Sequence, residues 1–184
     1  REGTILDETD ETITMRLKNG MVVKLERKDV VSLHVAQTAA AEYREAARKL
    51  AANDAKGRLD LARMCLEKKL EAEAVEEMNK AIAADPKFLR AYLELANLHA
   101  ARTDLESELQ VLDRALKAGI LNAEEVHVRI AQVYATLGLT ESAVVSLEAA
   151  VKANPAAVPA RVALGVFSLD AGKYEAAWEH LEKA

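Results

Sequence analysis

Tyr92-Leu-Glu-Leu95-Ala96-Asn-Leu-His99 returns thirty-five residues later as His127-Val-Arg-Ile130-Ala131-Gln-Val-Tyr134, and that recurrence decides the fold. The same pair, a large aliphatic followed by a small residue, stands at Leu61-Ala62 and Leu164-Gly165. The four copies are therefore spaced by 34, 35 and 34 positions. Further along each unit, Ala81, Ala115, Ala150 and Ala184 keep the same spacing. A period of this length is one helix-turn-helix, copied and stacked. No copy can bury its apolar face alone, so the array is the unit of stability. Such a period directs function to a shaped surface rather than to bond-making chemistry.

The 184 residues are 51% hydrophobic but only 4% aromatic. Abundant alanine lets helix axes approach closely, which suits stacked helices. The net charge of −5, with both signs interspersed, argues against a nucleic-acid surface, which needs a basic face. Cys65 is the one cysteine, so no internal disulfide forms. No apolar run reaches the roughly 18 residues of a membrane span, so no membrane insertion is expected. Opening at Arg1 and stopping at Ala184 inside the fourth unit, the sequence reads as a piece of a longer protein.

Residues 1–35 follow another rule. Ile13, Met15 and Leu17 alternate with polar neighbours, Asn19-Gly20 follows, and Met21, Val23 and Leu25 alternate again. That pattern predicts a hairpin with a type I′ turn, in which both turn residues take positive φ. With short segments at Thr4–Leu6 and Val30–Val35, the expectation is an antiparallel meander of three or four strands. Over 36–54 the period turns helical, with Tyr43, Ala46, Ala47 and Leu50 on one stripe of a leading, capping helix. The array then occupies 55–184. Asn53-Asp54, Thr103 with Glu106 as a capping box, Asn122 and Thr140 are the expected helix starts, and Gly119 a stop. Asp85-Pro86 and Asn154-Pro155 are expected to set a capping side chain before a first-turn proline.

The repeated units resemble tetratricopeptide repeats, with full units at 55–88, 89–123 and 124–157 and a fourth cut at 184. That family places a bulky residue, a Leu-Gly/Ala pair and an aromatic on its first helix. Tyr92–Leu95–Ala96–His99 and His127–Ile130–Ala131–Tyr134 match best. Arg58 and Arg161 stand in the bulky place, and Cys65 and Ser168 in the aromatic place. On the second helix, Ala74–Met78–Ala81, Ala143–Leu147–Ala150 and Ala177–Leu181–Ala184 comply. The second unit departs most, with Glu108 in a small-residue place, Ile120 for proline and one inserted residue. The resemblance implies a mainly α, right-handed α-solenoid of helix pairs. Residues 1–35 are similar, more loosely, to β modules that precede such repeats in some bacterial proteins after an export signal. That likeness implies a bacterial protein, periplasmic in preference to cytoplasmic.

In that family the first helices line a concave face. The inward stripe here is Lys56, Leu59, Arg63 and Leu66, then Arg90, Leu93, Asn97 and Ala100, then Glu125, Val128, Gln132 and Ala135, then Pro159, Val162, Val166 and Leu169. One rung, Arg63–Asn97–Gln132, is polar in three successive units. Amides at that spacing could pair with the backbone of an extended peptide, while Leu59, Leu93 and Val128 supply apolar contact. Lys56, Arg63 and Arg90 would bias one end towards a carboxylate. Solvation of an open groove is the plainer reading of the same residues. The two-carboxylate clamp of the family's chaperone-tail subgroup is absent, because Leu59, Arg63 and Glu94 hold its places.

No catalytic constellation emerges. Cys65 and His99 occupy equivalent places a helix diameter apart, too far for a thiol–imidazole pair, and a buried structural thiol is expected. His34, His99, His127 and His180 are dispersed, so no metal site or cofactor is expected. Tyr174 and Trp178 on the last helix lie where a following unit would dock and offer a face for self-association. The expectation is thus a non-catalytic scaffold that presents a concave groove to a peptide or helix of another protein. The alternative is a substrate-docking or regulatory arm of a larger enzyme. A third option, a nucleic-acid-binding barrel at residues 1–35, is disfavoured by their near-neutral charge.

Overall fold

The computed structural model describes residues 3–8, 12–17, 19–26, 39–121 and 123–184. Strands β1 (Gly3–Glu8), β2 (Thr12–Leu17) and β3 (Val22–Glu26) form an antiparallel meander in the order β1-β2-β3. Ile13 pairs with Leu25 and Met15 with Val23, in the register the alternation predicts. The hairpin turn differs from expectation. Leu17 N–H donates to the Met21 carbonyl at 2.8 Å and Gly20 N–H to the Leu17 carbonyl at 2.9 Å. Among the described turn residues Gly20 takes positive φ, at 84°, and Asn19 does not, while the Asn19 carboxamide accepts the Met21 N–H at 3.1 Å. This is the longer hairpin loop closed by a left-handed glycine, because Asn19 spends its side chain locally rather than entering the left-handed region. The expected strand at 30–35 lies outside the described residues.

A helix over residues 39–49 (α1) leads into eight more: α2 (Ala55–Glu67), α3 (Glu71–Ala84), α4 (Leu89–Ala101), α5 (Leu105–Lys117), α6 (Ala123–Thr136), α7 (Thr140–Ala153), α8 (Val158–Asp170) and α9 (Tyr174–Glu182). Each helix packs against its neighbours in sequence, and α6 also touches α8. Pairs α2/α3, α4/α5, α6/α7 and α8/α9 therefore stack side by side into a solenoid. Its core is a band of small and aliphatic residues that repeats with the sequence period. Leu61, Leu95, Ile130 and Leu164 are buried, as are Ala74, Ala143 and Ala177. One cluster runs from α2 to α6 and a second from α6 to α8, and the Tyr134 ring packs against both. Tyr43, Ala46, Ala47 and Leu50 pack against the first cluster, as the stripe on α1 predicts.

Each pair turns the same way. Lys69, Thr103, Gly138 and Gly172, at equivalent places, take φ of 61°, 56°, 73° and 70°. The following N–H reaches back to the carbonyl five residues earlier: Leu70 to Cys65, Asp104 to His99, Leu139 to Tyr134 and Lys173 to Ser168. These are Schellman closures, which satisfy orphan carbonyls at a helix end. They overturn the capping box at Thr103. That residue closes α4, and Asp104 caps α5 by accepting the Ser107 N–H at 3.1 Å. Thr140 likewise lies inside α7, with Leu139 at the cap. Asp54 caps α2 through Gly57 N–H at 2.8 Å, and Gly119 follows the end of α5, both as expected. The Asn122 expectation falls outside the described residues.

The two Asx-Pro pairs also act differently. Asp85 and Asn154 end α3 and α7, and each carboxyl or amide oxygen accepts the N–H two residues on, at 2.9 and 3.0 Å. A local Asx turn wins over capping, and α4 and α8 begin only at Leu89 and Val158. The Pro86 and Pro155 carbonyls become acceptors instead, for Tyr92 Oη at 3.1 Å and Arg161 Nε at 2.7 Å. Arg161 thus performs the hydrogen bond of the bulky residue whose place it takes.

Candidate interaction surface

The first helices α2, α4, α6 and α8 set the expected stripe in rungs, and the structure gives each rung a different character. On α2, Leu59 is only 1% exposed and belongs to the core, so it offers nothing to a partner. Its equivalents Leu93 and Val128 are half-buried, and Val162 on α8 is 42% exposed. Burial at this rung falls along the array.

The cations differ from expectation as well. Arg63 donates from Nε to Glu94 Oε2 at 3.0 Å, from Nη2 to Glu94 Oε1, and from Nη1 to Asp60 Oδ1 at 2.7 Å. Arg90 Nε donates to Glu94 Oε1 at 2.9 Å. Burial pushes the Glu94 carboxyl up, but Arg63 and Arg90 together hold it below the usual carboxylate range. The carboxylate that Arg63 and Arg90 were expected to take from a partner is therefore already supplied by the chain. The Arg90–Glu94 spacing of four was readable as a helical pair; Arg63–Glu94, 31 residues apart, shows only once adjacent first helices are overlaid. Lys56 stays exposed.

Asn97 and Gln132 remain. Both are exposed, and neither amide side chain makes a hydrogen bond among the described residues. On α8 the stripe becomes aliphatic, with Val162, Val166 and Leu169 all more than 40% exposed. The surface thus grades from a closed ion cluster, through open amides, to bare hydrocarbon.

Two buried carboxylates stabilise the scaffold beneath. Glu77 accepts from Arg58 Nη1 at 2.9 Å, Lys80 Nζ at 2.7 Å and Tyr43 Oη at 3.0 Å, joining α1, α2 and α3. Glu108, in the small-residue place, is held by Arg129 Nε of α6 at 2.6 Å. Arg129 thereby compensates the feature that made the second unit the least certain in sequence. Cys65 is fully buried, and burial pushes its thiol up to about 11, which leaves it unreactive. Burial also lowers the His127 imidazole. At the last pair, Tyr174 and Trp178 are exposed. Leu181 is 40% exposed, whereas its equivalents Met78, Leu112 and Leu147 are at 0–1%. Among the described residues no helix is long and apolar enough to cross a membrane.

Four stacked helix pairs with a shared turn and a graded stripe along their first helices define an α-solenoid of the repeat-scaffold class. The profile described as Tetratricopeptide repeat matches residues 72–123 and 128–184, more than half the chain. The protein belongs to the tetratricopeptide repeat family, whose fold is that of a scaffold for protein–protein interaction. No curated protein matches its sequence. Among solved structures it is similar to PilF of Pseudomonas aeruginosa, at 16% identity and a TM-score of 0.63, over 83% of this chain and 69% of that one. A MamA structure aligns at 19% identity and a TM-score of 0.57, over 71% and 76%. YrrB, described as a TPR protein with an unusual peptide-binding site, aligns at 21% and 0.54, over 71% and 67%. At these identities the likeness is one of fold.

Proposed function

We propose that this chain is a non-catalytic scaffold whose trough along α4, α6 and α8 captures an extended or helical peptide of a partner protein. The observation that carries the reading is the pair Asn97 and Gln132, exposed and unengaged at equivalent places on adjacent first helices. Each carboxamide offers a donor and an acceptor to a peptide backbone. Leu93, Val128, Val162 and Val166 supply apolar contact around them. Lys56 is an exposed cation on α2, while Arg63 and Arg90 are engaged with Glu94. The unusual peptide-binding site of YrrB is in keeping with this use of the fold. We propose the division 1–35, 36–54 and 55–184 as β module, capping segment and array, in a bacterial protein acting in the periplasm in preference to the cytoplasm. The test is affinity capture from the native cell with the protein and with Asn97→Ala/Gln132→Ala. A partner lost by the variant, at unchanged melting temperature, supports the trough; an identical captured set dismisses it.

Exposure at α9 favours a second contact. The core position filled by Met78, Leu112 and Leu147 is open at Leu181, beside Trp178 and Tyr174. We propose that a second copy covers this face. Light scattering over a concentration series should show association that Trp178→Ala removes. A strict monomer at high concentration ends the idea.

A further inference from the structure

We infer that the hollow between α7 and α8 is a separate docking site, for a short peptide that sets one aromatic side chain between two basic ones. Val144 and Val145 on α7, Phe167 and Ser168 on α8, and Ala171 just past its end line a half-open hollow of about 380 Å³. That volume falls in the range of ligand pockets, roughly 300–1,000 Å³. It shares no residue with the trough of α4 and α6.

Its origin lies in two small residues. At the preceding junction, between α5 and α6, Tyr134 stands in the place of Ser168 and Leu137 in the place of Ala171. Tyr134 packs against both core clusters there. Between α7 and α8 no such side chain exists, and the apolar floor formed by Val144 and Phe167 is left open to an incoming ring.

Charge specifies the flanks. Glu141 and Glu148 line the hollow from α7, and neither makes a hydrogen bond or ion pair among the described residues. Seven residues on one helix place them about 10 Å apart. An extended chain sets every second side chain on one face, so two lysines four positions apart, with an aromatic midway, present all three to the hollow together. Their backbone separation of about 13 Å is taken up by the flexible lysine stems. Lys173 also lines the hollow, so the two carboxylates share the lining with one cation.

The experiment is isothermal titration of the whole chain with the N-acetylated, C-amidated peptide Gly-Lys-Gly-Phe-Gly-Lys-Gly. Saturable binding is expected, with a Kd on the order of 0.1 mM that weakens with salt. Ser168→Tyr, which refills the hollow, should weaken it at least about tenfold, and Glu141→Gln/Glu148→Gln about fivefold. Replacing both peptide lysines by glutamate should abolish binding. Asn97→Ala/Gln132→Ala should leave it unchanged, so failure of the trough and failure of this site are distinguishable. No heat up to millimolar peptide, full affinity in Ser168→Tyr or in the glutamine pair, or equal affinity for the glutamate peptide overturns the proposal.

Discussion

Arg63 on α2 grips Glu94 on α4 with two guanidinium N–H groups, the Nε donor lying 3.0 Å from Oε2. A fork of this kind fixes both partners in direction as well as distance. It ties two first helices together and pairs internally the cation that a partner's carboxylate would otherwise find.

Releasing that grip should therefore change recognition more than stability. Glu94→Gln leaves Arg63 and Arg90 with Asp60 as the remaining acceptor beside them. Because Arg63 is 41% exposed, the stability loss should be about 1 kcal/mol or less. A polyglutamate peptide that ignores the parent protein should bind the variant, with marked salt dependence. Calorimetry showing no binding to either would count against the carboxylate having been satisfied internally.

Glu77 makes the first three helices sensitive to acid. Burial pushes its carboxyl up, but hydrogen bonds from Lys80, Arg58 and Tyr43 outweigh that and hold it below its ordinary 4.5. A carboxyl depressed in the folded state contributes stability above its unfolded value and loses it as the pH falls through the folded one. Urea unfolding at a series of pH values should show a loss below about 4.5 that is reduced in Glu77→Gln. The same network pushes the Tyr43 phenol up to about 12, chiefly by burial and then by the Glu77 hydrogen bond. A raised phenol contributes stability below its ordinary 10 that disappears as pH climbs towards 12. Burial raises the Tyr92 phenol too, so ultraviolet titration should find Tyr43 and Tyr92 ionising late, and Tyr43→Phe should remove one of the two late steps.

The Glu108–Arg129 pair should show asymmetric costs. Arg129→Leu strands a carboxylate that is 2% exposed, costing about 3 kcal/mol after allowance for the partly exposed arginine. Glu108→Ala restores the small residue found at Ala74, Ala143 and Ala177 and should cost less than half as much. Equal losses in thermal unfolding would contradict a buried, paired charge.

Thr103 holds φ of 56° where two sister turns carry glycine. A β-branched residue is strained in the left-handed region. Thr103→Gly should therefore raise stability by about 1 kcal/mol. A lower melting temperature would show that the hydroxyl contact to the Arg102 carbonyl, at 2.6 Å, matters more than the strain.

The helix pairs and their core were legible because period and burial coincide: Leu61, Leu95, Ile130 and Leu164 could be placed inward by spacing alone. Turn chemistry was less so. Read locally, Thr103 with Glu106 is a capping box; only its alignment with Gly138 and Gly172 marks it as a left-handed closure. The side chains along the first helices were half legible. Asn97 and Gln132 stand exposed as the spacing required. The commitment of Arg63 and Arg90 to Glu94, and the burial of Leu59, depend on neighbouring units and so escape any reading of one helix at a time.

Because the inner stripe runs from salt-locked guanidinium groups at α2 to uncovered valines at α8, the trough has a head and a tail. On the proposed reading, a peptide lying along it would set its apolar end against Val162 and Val166 and its polar end towards Asp60 and Arg90, so its direction would be fixed by the gradient of the scaffold.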